Sequence, residues 1–75
     1  MTNRADINAA FRTAIEIAGS EGRLAKAIGF SQNAVWSARR YGKASAEMAA
    51  AIHKFTEGRV PRHALRPDLW DAPDQ

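Results

Sequence analysis

Residues 24–35, Leu-Ala-Lys-Ala-Ile-Gly-Phe-Ser-Gln-Asn-Ala-Val, decide the fold of this 75-residue chain. The small residue Ala25 is followed four residues later by Gly29, and six residues after that by the β-branched Val35. Ala25 lets two short helices pack at a steep angle, Gly29 supplies the turn, and Val35 gives the second helix an apolar contact. This spacing predicts a helix-turn-helix, with helices over 21–28 and 32–41.

Further helices are predicted on both sides of this motif. Apolar residues at spacings of three and four predict a helix over 6–18. Ser45 suits the N-cap of a helix over 46–56, and Pro61 suits the first position of a short helix over 61–65. The predicted fold class is therefore all-α, with about five short helices in a single domain over 1–70. Residues 71–75 are expected to be a frayed tail.

The apolar composition limits the size of the core. Hydrophobic residues make up 45% of the chain, but alanine supplies much of this fraction. Since a small core gives only a few kcal/mol of net stability, the fold would benefit from oligomerisation. The large residues expected in the core are Ile7, Phe11, Ile15, Leu24, Ile28, Val35, Met48, Ile52, Phe55 and Leu65.

Several classes of chemistry find no support in the sequence. The chain has no cysteine, which excludes disulfides, thiolate catalysis and cysteine-based zinc sites. His53 and His63 have no partners at metal-ligand spacing, and neither a glycine-rich phosphate loop nor paired catalytic carboxylates is visible. We therefore expect no enzyme, no metal and no other cofactor. Without a signal peptide or an apolar run of about 18 residues, we expect a cytoplasmic, nucleoid-associated protein that does not enter membranes.

Positive charge is concentrated in the middle third of the chain. The formal net charge is +3, and the window 22–46 contains basic residues but no acidic ones. A basic balance alone is only mild support for a polyanionic partner. Its position around the second helix of the predicted motif is stronger support, because that helix presents its N-terminal end to a DNA major groove.

Side chains of the predicted helix over 32–41 suit DNA recognition. Gln32 and Asn33 can make paired hydrogen bonds to an adenine edge, and Arg40 can bond to guanine or phosphate. Trp36 has two open alternatives, contact with a thymine methyl or sugar, and packing against protein. Arg39 and Lys43 are best suited to phosphates. The candidate DNA-binding residues are Ser31, Gln32, Asn33, Trp36, Ser37, Arg39, Arg40 and Lys43.

Three segments, over 23–29, 31–36 and 58–70, resemble the Cro and λ-repressor-like superfamily, and especially its YdaS-type branch of antitoxins and Cro-like regulators of phages and prophages. The resemblance spans about residues 14–70. It implies a λ-repressor-like domain that binds a palindromic operator as a homodimer, with half-sites about one helical turn apart. Two residues depart from the pattern. Glu21 stands where relatives often carry a phosphate-contacting Gln, and Ala38 where several carry a larger apolar residue. The residues implied to approach bases are Gln32, Asn33, Trp36, Ser37 and Arg40.

Two main functions follow as hypotheses. The first is a sequence-specific transcriptional regulator, a repressor that occupies a promoter on double-stranded DNA. The alternative is an antitoxin or antirepressor-type interaction module whose main partner is another protein, either a toxin or a repressor, bound through Trp36 and Trp70. Leu69 and Trp70 are expected to cover one end of the core, with a dimer interface as the competing use. A third, weaker hypothesis is nonspecific nucleoid or RNA binding.

Overall fold

The computed structural model describes residues 4–66, 68 and 69 of the chain, and the side chains among them from residue 7 onward. This part of the chain contains helices and no strands, which confirms the all-α class and the number of helices. The helices are α1 (Arg4–Ala18), α2 (Glu21–Ile28), α3 (Gln32–Tyr41), α4 (Ala46–Phe55) and α5 (Arg62–Leu65).

The two helices of the central motif have the predicted bounds, whereas the outer helices differ slightly. Helix α1 begins at Arg4, two residues earlier than predicted. The prediction missed these residues because the first turn is polar and apolar spacing gives no signal there. Helix α4 ends at Phe55, one residue earlier than predicted, and Thr56 is its C-cap. Pro61 has an extended conformation, with φ −71° and ψ 151°, so it is the N-cap of α5 and not its first helical residue.

Serine side chains fix the starts of three helices. The hydroxyl of Ser20 accepts a hydrogen bond from the backbone N–H of Arg23 at 3.1 Å. Ser31 and Ser45 accept equivalent bonds, each at 3.0 Å, from the amides of the third residue after them. Because the first-turn amides have no partner within the helix, these bonds set the boundaries of α2, α3 and α4.

The core receives one fully buried large side chain from each helix. These are Phe11, Leu24, Val35, Ile52 and Leu65. Of the other residues expected in the core, Met48 is buried, whereas Ile7, Ile15, Ile28 and Phe55 are partly buried and pack against it. Buried alanines and Val60 complete the core. The contribution of alanine explains how a chain with few large apolar residues still encloses a core.

The turn between α2 and α3 uses a glycine for its backbone conformation. Gly29 has φ 79° and ψ 26°, in the left-handed region, and the N–H of Phe30 donates to the carbonyl of Ala25 at 2.9 Å. Ala25 and Val35 are both buried where the helices meet. The structure thus forms the helix-turn-helix that the spacing of these residues predicts.

The segment after α5 is fastened to the loop after α3. The Arg66 guanidinium donates from Nη1 to the carbonyl of Ala44 at 3.0 Å. It also makes a bidentate pair with Asp68, with Nε–Oδ1 2.9 Å and Nη2–Oδ2 2.7 Å. Leu69 is exposed. The predictions about Trp70 and the tail over 71–75 lie outside the described residues.

Candidate nucleic-acid interface

Helix α3 has one buried face and one exposed face. Val35 and Ala38 are buried against the other helices. Helical geometry places residues 33, 36, 37 and 40 on the opposite side, where Asn33, Trp36 and Arg40 are exposed and Ser37 is half-buried. The candidate residues at these four positions therefore form one continuous outer face.

The N-terminus of α3 begins at the edge of this outer face. The hydroxyl of Ser31 accepts a bond from the backbone of Ala34, so this side chain caps the helix and retains one hydroxyl proton to donate. The helix dipole makes this end positive and therefore favourable for an anion such as a phosphate. Gln32 and Asn33 are both exposed in the first turn.

The side chains of Gln32 and Asn33 have different surroundings, which residue type and helical position alone do not reveal. Gln32 lies over the first turn of α2, since a Cβ added at Gly22 would stand 3.3 Å from its Oε1. Asn33 projects from the outer face. Together with Glu21 and Trp36, the two residues line a shallow open pocket between the N-termini of α2 and α3.

Arg39 is paired with an acidic residue of α2. Its Nη2 lies 3.2 Å from Oε2 of Glu21, and the two side chains are 38% and 17% exposed, respectively. Oε2 of Glu21 is buried and has no hydrogen-bond partner of good geometry, so the contact is an ion pair. The sequence assigned Arg39 to phosphate and noted Glu21 only as a departure from relatives. The structure brings the two together.

Arg40 stacks on aromatic rings at the C-terminal end of the outer face. Its guanidinium carbon lies 5.3 Å from the ring centroid of Trp36 and 5.8 Å from that of Tyr41, distances typical of cation–π contacts. Trp36 remains 41% exposed and Tyr41 58% exposed. Trp36 therefore packs within the chain and still offers ring surface to a partner. Sequence reasoning missed Tyr41, although an aromatic residue next to Arg40 was an available signal.

Lys43 follows the turn that ends α3. Gly42 has φ 65° and ψ 35°, and the N–H of Lys43 donates to the carbonyl of Ala38 at 3.0 Å. The Lys43 side chain is exposed beside an open, mainly apolar groove of about 720 Å³. This groove runs between α3 and the start of α4. Its lining residues are Phe30, Ala34, Ser37, Ala38, Tyr41, Lys43, Ser45 and Met48.

His53 has a local structural contact. Its Nδ1 accepts a hydrogen bond from the backbone N–H of Arg62 at 3.1 Å, which satisfies a first-turn amide of α5. Among the described residues, no group of three or more histidines or acidic residues is placed to hold a metal ion. Within the same part of the chain, no helix combines the length and apolarity that crossing a bilayer requires.

These features define a small all-α helix-turn-helix protein whose second motif helix exposes a polar and basic face. The chain belongs to the family described as bacterial toxin YdaS, whose model matches residues 11–73. This match covers most of the chain and confirms the YdaS-type resemblance carried by the motif and by the segment after α4. No curated protein and no solved structure matches the chain.

Proposed function

We propose that the chain is a sequence-specific DNA-binding regulator of transcription that reads DNA with α3. The observation that carries this proposal is the outer face of α3, where Asn33, Trp36 and Arg40 are exposed beside a serine-capped helix N-terminus. Amide and guanidinium groups are the side chains that pair with adenine and guanine edges in the major groove. A ten-residue helix is about 15 Å long and about as wide as that groove.

Each side chain has a role that follows from its position. Asn33 reads a base, because it projects from the outer face near the helix N-terminus. Gln32 lies against α2 and supports or extends this contact. Arg40, stacked on aromatic rings, binds guanine or a phosphate, and Lys43 binds a phosphate beyond the end of α3. Phosphate contacts fix the register of the protein on DNA, whereas base contacts carry specificity.

The proposed regulator acts as a homodimer on a palindromic operator within the bacterial nucleoid. Two copies of α3 then enter successive major grooves, about 34 Å apart. Occupation of a promoter by such a dimer excludes polymerase and requires nothing from the protein except binding. Repression is therefore the regulatory outcome we propose, without an enzymatic step or a cofactor.

A selection of bound sequences from a random duplex pool tests this function. We expect a palindromic motif whose half-sites are about one helical turn apart, and binding that weakens with salt. Equal binding of the recovered and scrambled duplexes would instead indicate a nonspecific nucleic-acid protein. Failure to retain any duplex at low salt contradicts the proposal.

The second candidate function is a protein-interaction module of a toxin–antitoxin pair. Two observations favour it, the family's description as a bacterial toxin and the apolar groove flanked by the exposed Tyr41. A stoichiometric protein partner that copurifies with the chain, together with no salt-sensitive DNA binding, would support this candidate over the first. Substitution of Tyr41 by Ser should then release the partner without unfolding the domain.

A further inference from the structure

Glu21 brings a negative charge to an interface that is otherwise basic. It is the first residue of α2, directly after the N-cap Ser20, and its side chain is only 17% exposed. The carboxylate lies 3.2 Å from the guanidinium of Arg39 and lines the same pocket as Gln32, Asn33 and Trp36. Arg39 therefore lies next to the proposed DNA-reading surface, but its charge is matched within the chain.

The Glu21–Arg39 pair contributes little to the stability of the fold. Ion pairs with partly exposed partners contribute little to stability, because solvent screens the charges and ordering the long side chains costs entropy. The buried Oε2 of Glu21 has no hydrogen-bond partner, which offsets part of even this small gain. The pair has a larger consequence for a polyanion, because the carboxylate cancels much of the attraction between the guanidinium and a nearby phosphate.

We propose that Glu21 is a positioning residue that holds Arg39 away from DNA phosphates and so limits sequence-independent affinity. This inference rests on the proposed function of α3. The pairing involves neither Arg40, which stacks on aromatic rings, nor Lys43, so base readout by Asn33 and these two cations is unchanged. The carboxylate thus sets how tightly the domain holds any duplex, whatever its sequence.

The variant Glu21→Gln tests the proposal, since it keeps the shape of the side chain and removes its charge. One additional phosphate contact steepens the dependence of log K on log[salt] by about 0.9 for each bound protomer, and therefore by about 1.8 for the proposed homodimer. For a contact that contributes nothing at 1 M salt, each protomer gains roughly 15-fold in affinity at 50 mM salt, and this gain shrinks about 3.5-fold by 200 mM. For the homodimer these factors multiply to a gain of roughly 200-fold at 50 mM salt, which shrinks about 12-fold by 200 mM. We expect this gain on the selected operator and on a scrambled duplex alike.

One further variant separates the release of Arg39 from a change in net charge, and a second tests whether the gain requires Arg39. Glu16→Gln removes the same charge from an exposed position on α1, and its gain should be clearly smaller than that of Glu21→Gln. The double variant Glu21→Gln/Arg39→Ala should lose the gain, because the released guanidinium is then missing. Thermal unfolding of each variant verifies that the domain is folded.

The outcomes distinguish this inference from the function on which it rests. Binding by the unmodified chain without a gain in Glu21→Gln, or a gain that persists in the double variant, overturns the role of Glu21 alone. A loss of operator binding in Glu21→Gln, with scrambled DNA unaffected, would show that Glu21 contacts a base and also overturns it. Absence of salt-sensitive binding by the unmodified chain overturns the proposed function and this inference together.

Discussion

Substitution of Gly29 by Ala is expected to destabilise the domain through the backbone alone. Gly29 has φ 79°, and an L-residue with a Cβ pays about 1–2 kcal/mol in the left-handed region. A Cβ at this position would meet no atom within 4 Å, so no steric clash adds to this cost. For a domain of this size, the loss corresponds to a decrease in Tm of roughly 4–16 °C.

Gly22 provides a matched control in the neighbouring helix. Its φ lies outside the left-handed region, and an added Cβ would stand 3.3 Å from Oε1 of Gln32, the end of a flexible side chain that can move. Alanine in a helix is favoured over glycine by up to about 1 kcal/mol. Gly22→Ala should therefore leave the free energy of unfolding unchanged or raise it, whereas Gly29→Ala lowers it.

Urea unfolding followed by far-UV circular dichroism measures both variants under the same conditions. A third variant, Gly29→Asn, should lose less stability than Gly29→Ala, because asparagine tolerates the left-handed conformation. If Gly29→Ala were no less stable than Gly22→Ala, or if asparagine were no better than alanine at residue 29, the backbone explanation of this turn would be wrong.

Three further predictions concern DNA binding and pH. Asn33→Ala should cost about 1–3 kcal/mol at one base position per half-site, more than Gln32→Ala, in competition assays with single-base operator variants; equal losses would contradict the separate placement of these residues. Lys43→Ala should weaken binding to all duplexes and reduce the salt slope by about 0.9 for each protomer, or about 1.8 for the homodimer, and a change confined to one sequence would argue against a phosphate contact. The hydrogen bond from Arg66 lowers the pKa of Asp68 below its usual value. The pair therefore stabilises the fold at pH values above the usual pKa of aspartate, and this stabilisation is lost as the pH falls through the lowered pKa. Because Asp68→Asn lacks the pair, its free energy of unfolding should decrease less than that of the unmodified chain as the pH is lowered. An equal decrease in both proteins would show that the pair does not contribute to stability.

The central motif could be predicted because its determinants are local. Ser31 fixes the start of α3 through a bond to an amide three residues away, and Gly29 ends the helix before it through its own backbone conformation. Such effects depend on residue type and not on contacts with distant parts of the chain. The exposed polar face of α3 follows from the same helix, once Val35 is placed inside.

Contacts between helices could not be predicted in the same way. The pairing of Glu21 with Arg39 depends on the angle at which α2 and α3 cross, and the bond from Arg66 to the carbonyl of Ala44 joins residues 22 positions apart. The side chain of either arginine has many rotamers, and the sequence pattern does not select among them. Charge and spacing therefore identified Arg39 as a surface cation, while only the packed structure shows which group neutralises it.

The aromatic stack on Arg40 is compatible with the proposed DNA binding and opposes it only weakly. A cation–π contact at an exposed site contributes about 0.5–1 kcal/mol, whereas a bidentate contact between arginine and guanine is worth about 1–3 kcal/mol of discrimination. The guanidinium can therefore leave Trp36 and Tyr41 for a base, or bind while still in contact with one ring. Until then the rings restrict its rotamers, which lowers the entropy lost when it binds. In the proposed regulator, Trp36, which is 41% exposed beside Arg40, restricts the arginine before it binds and keeps ring surface for a sugar or a thymine methyl.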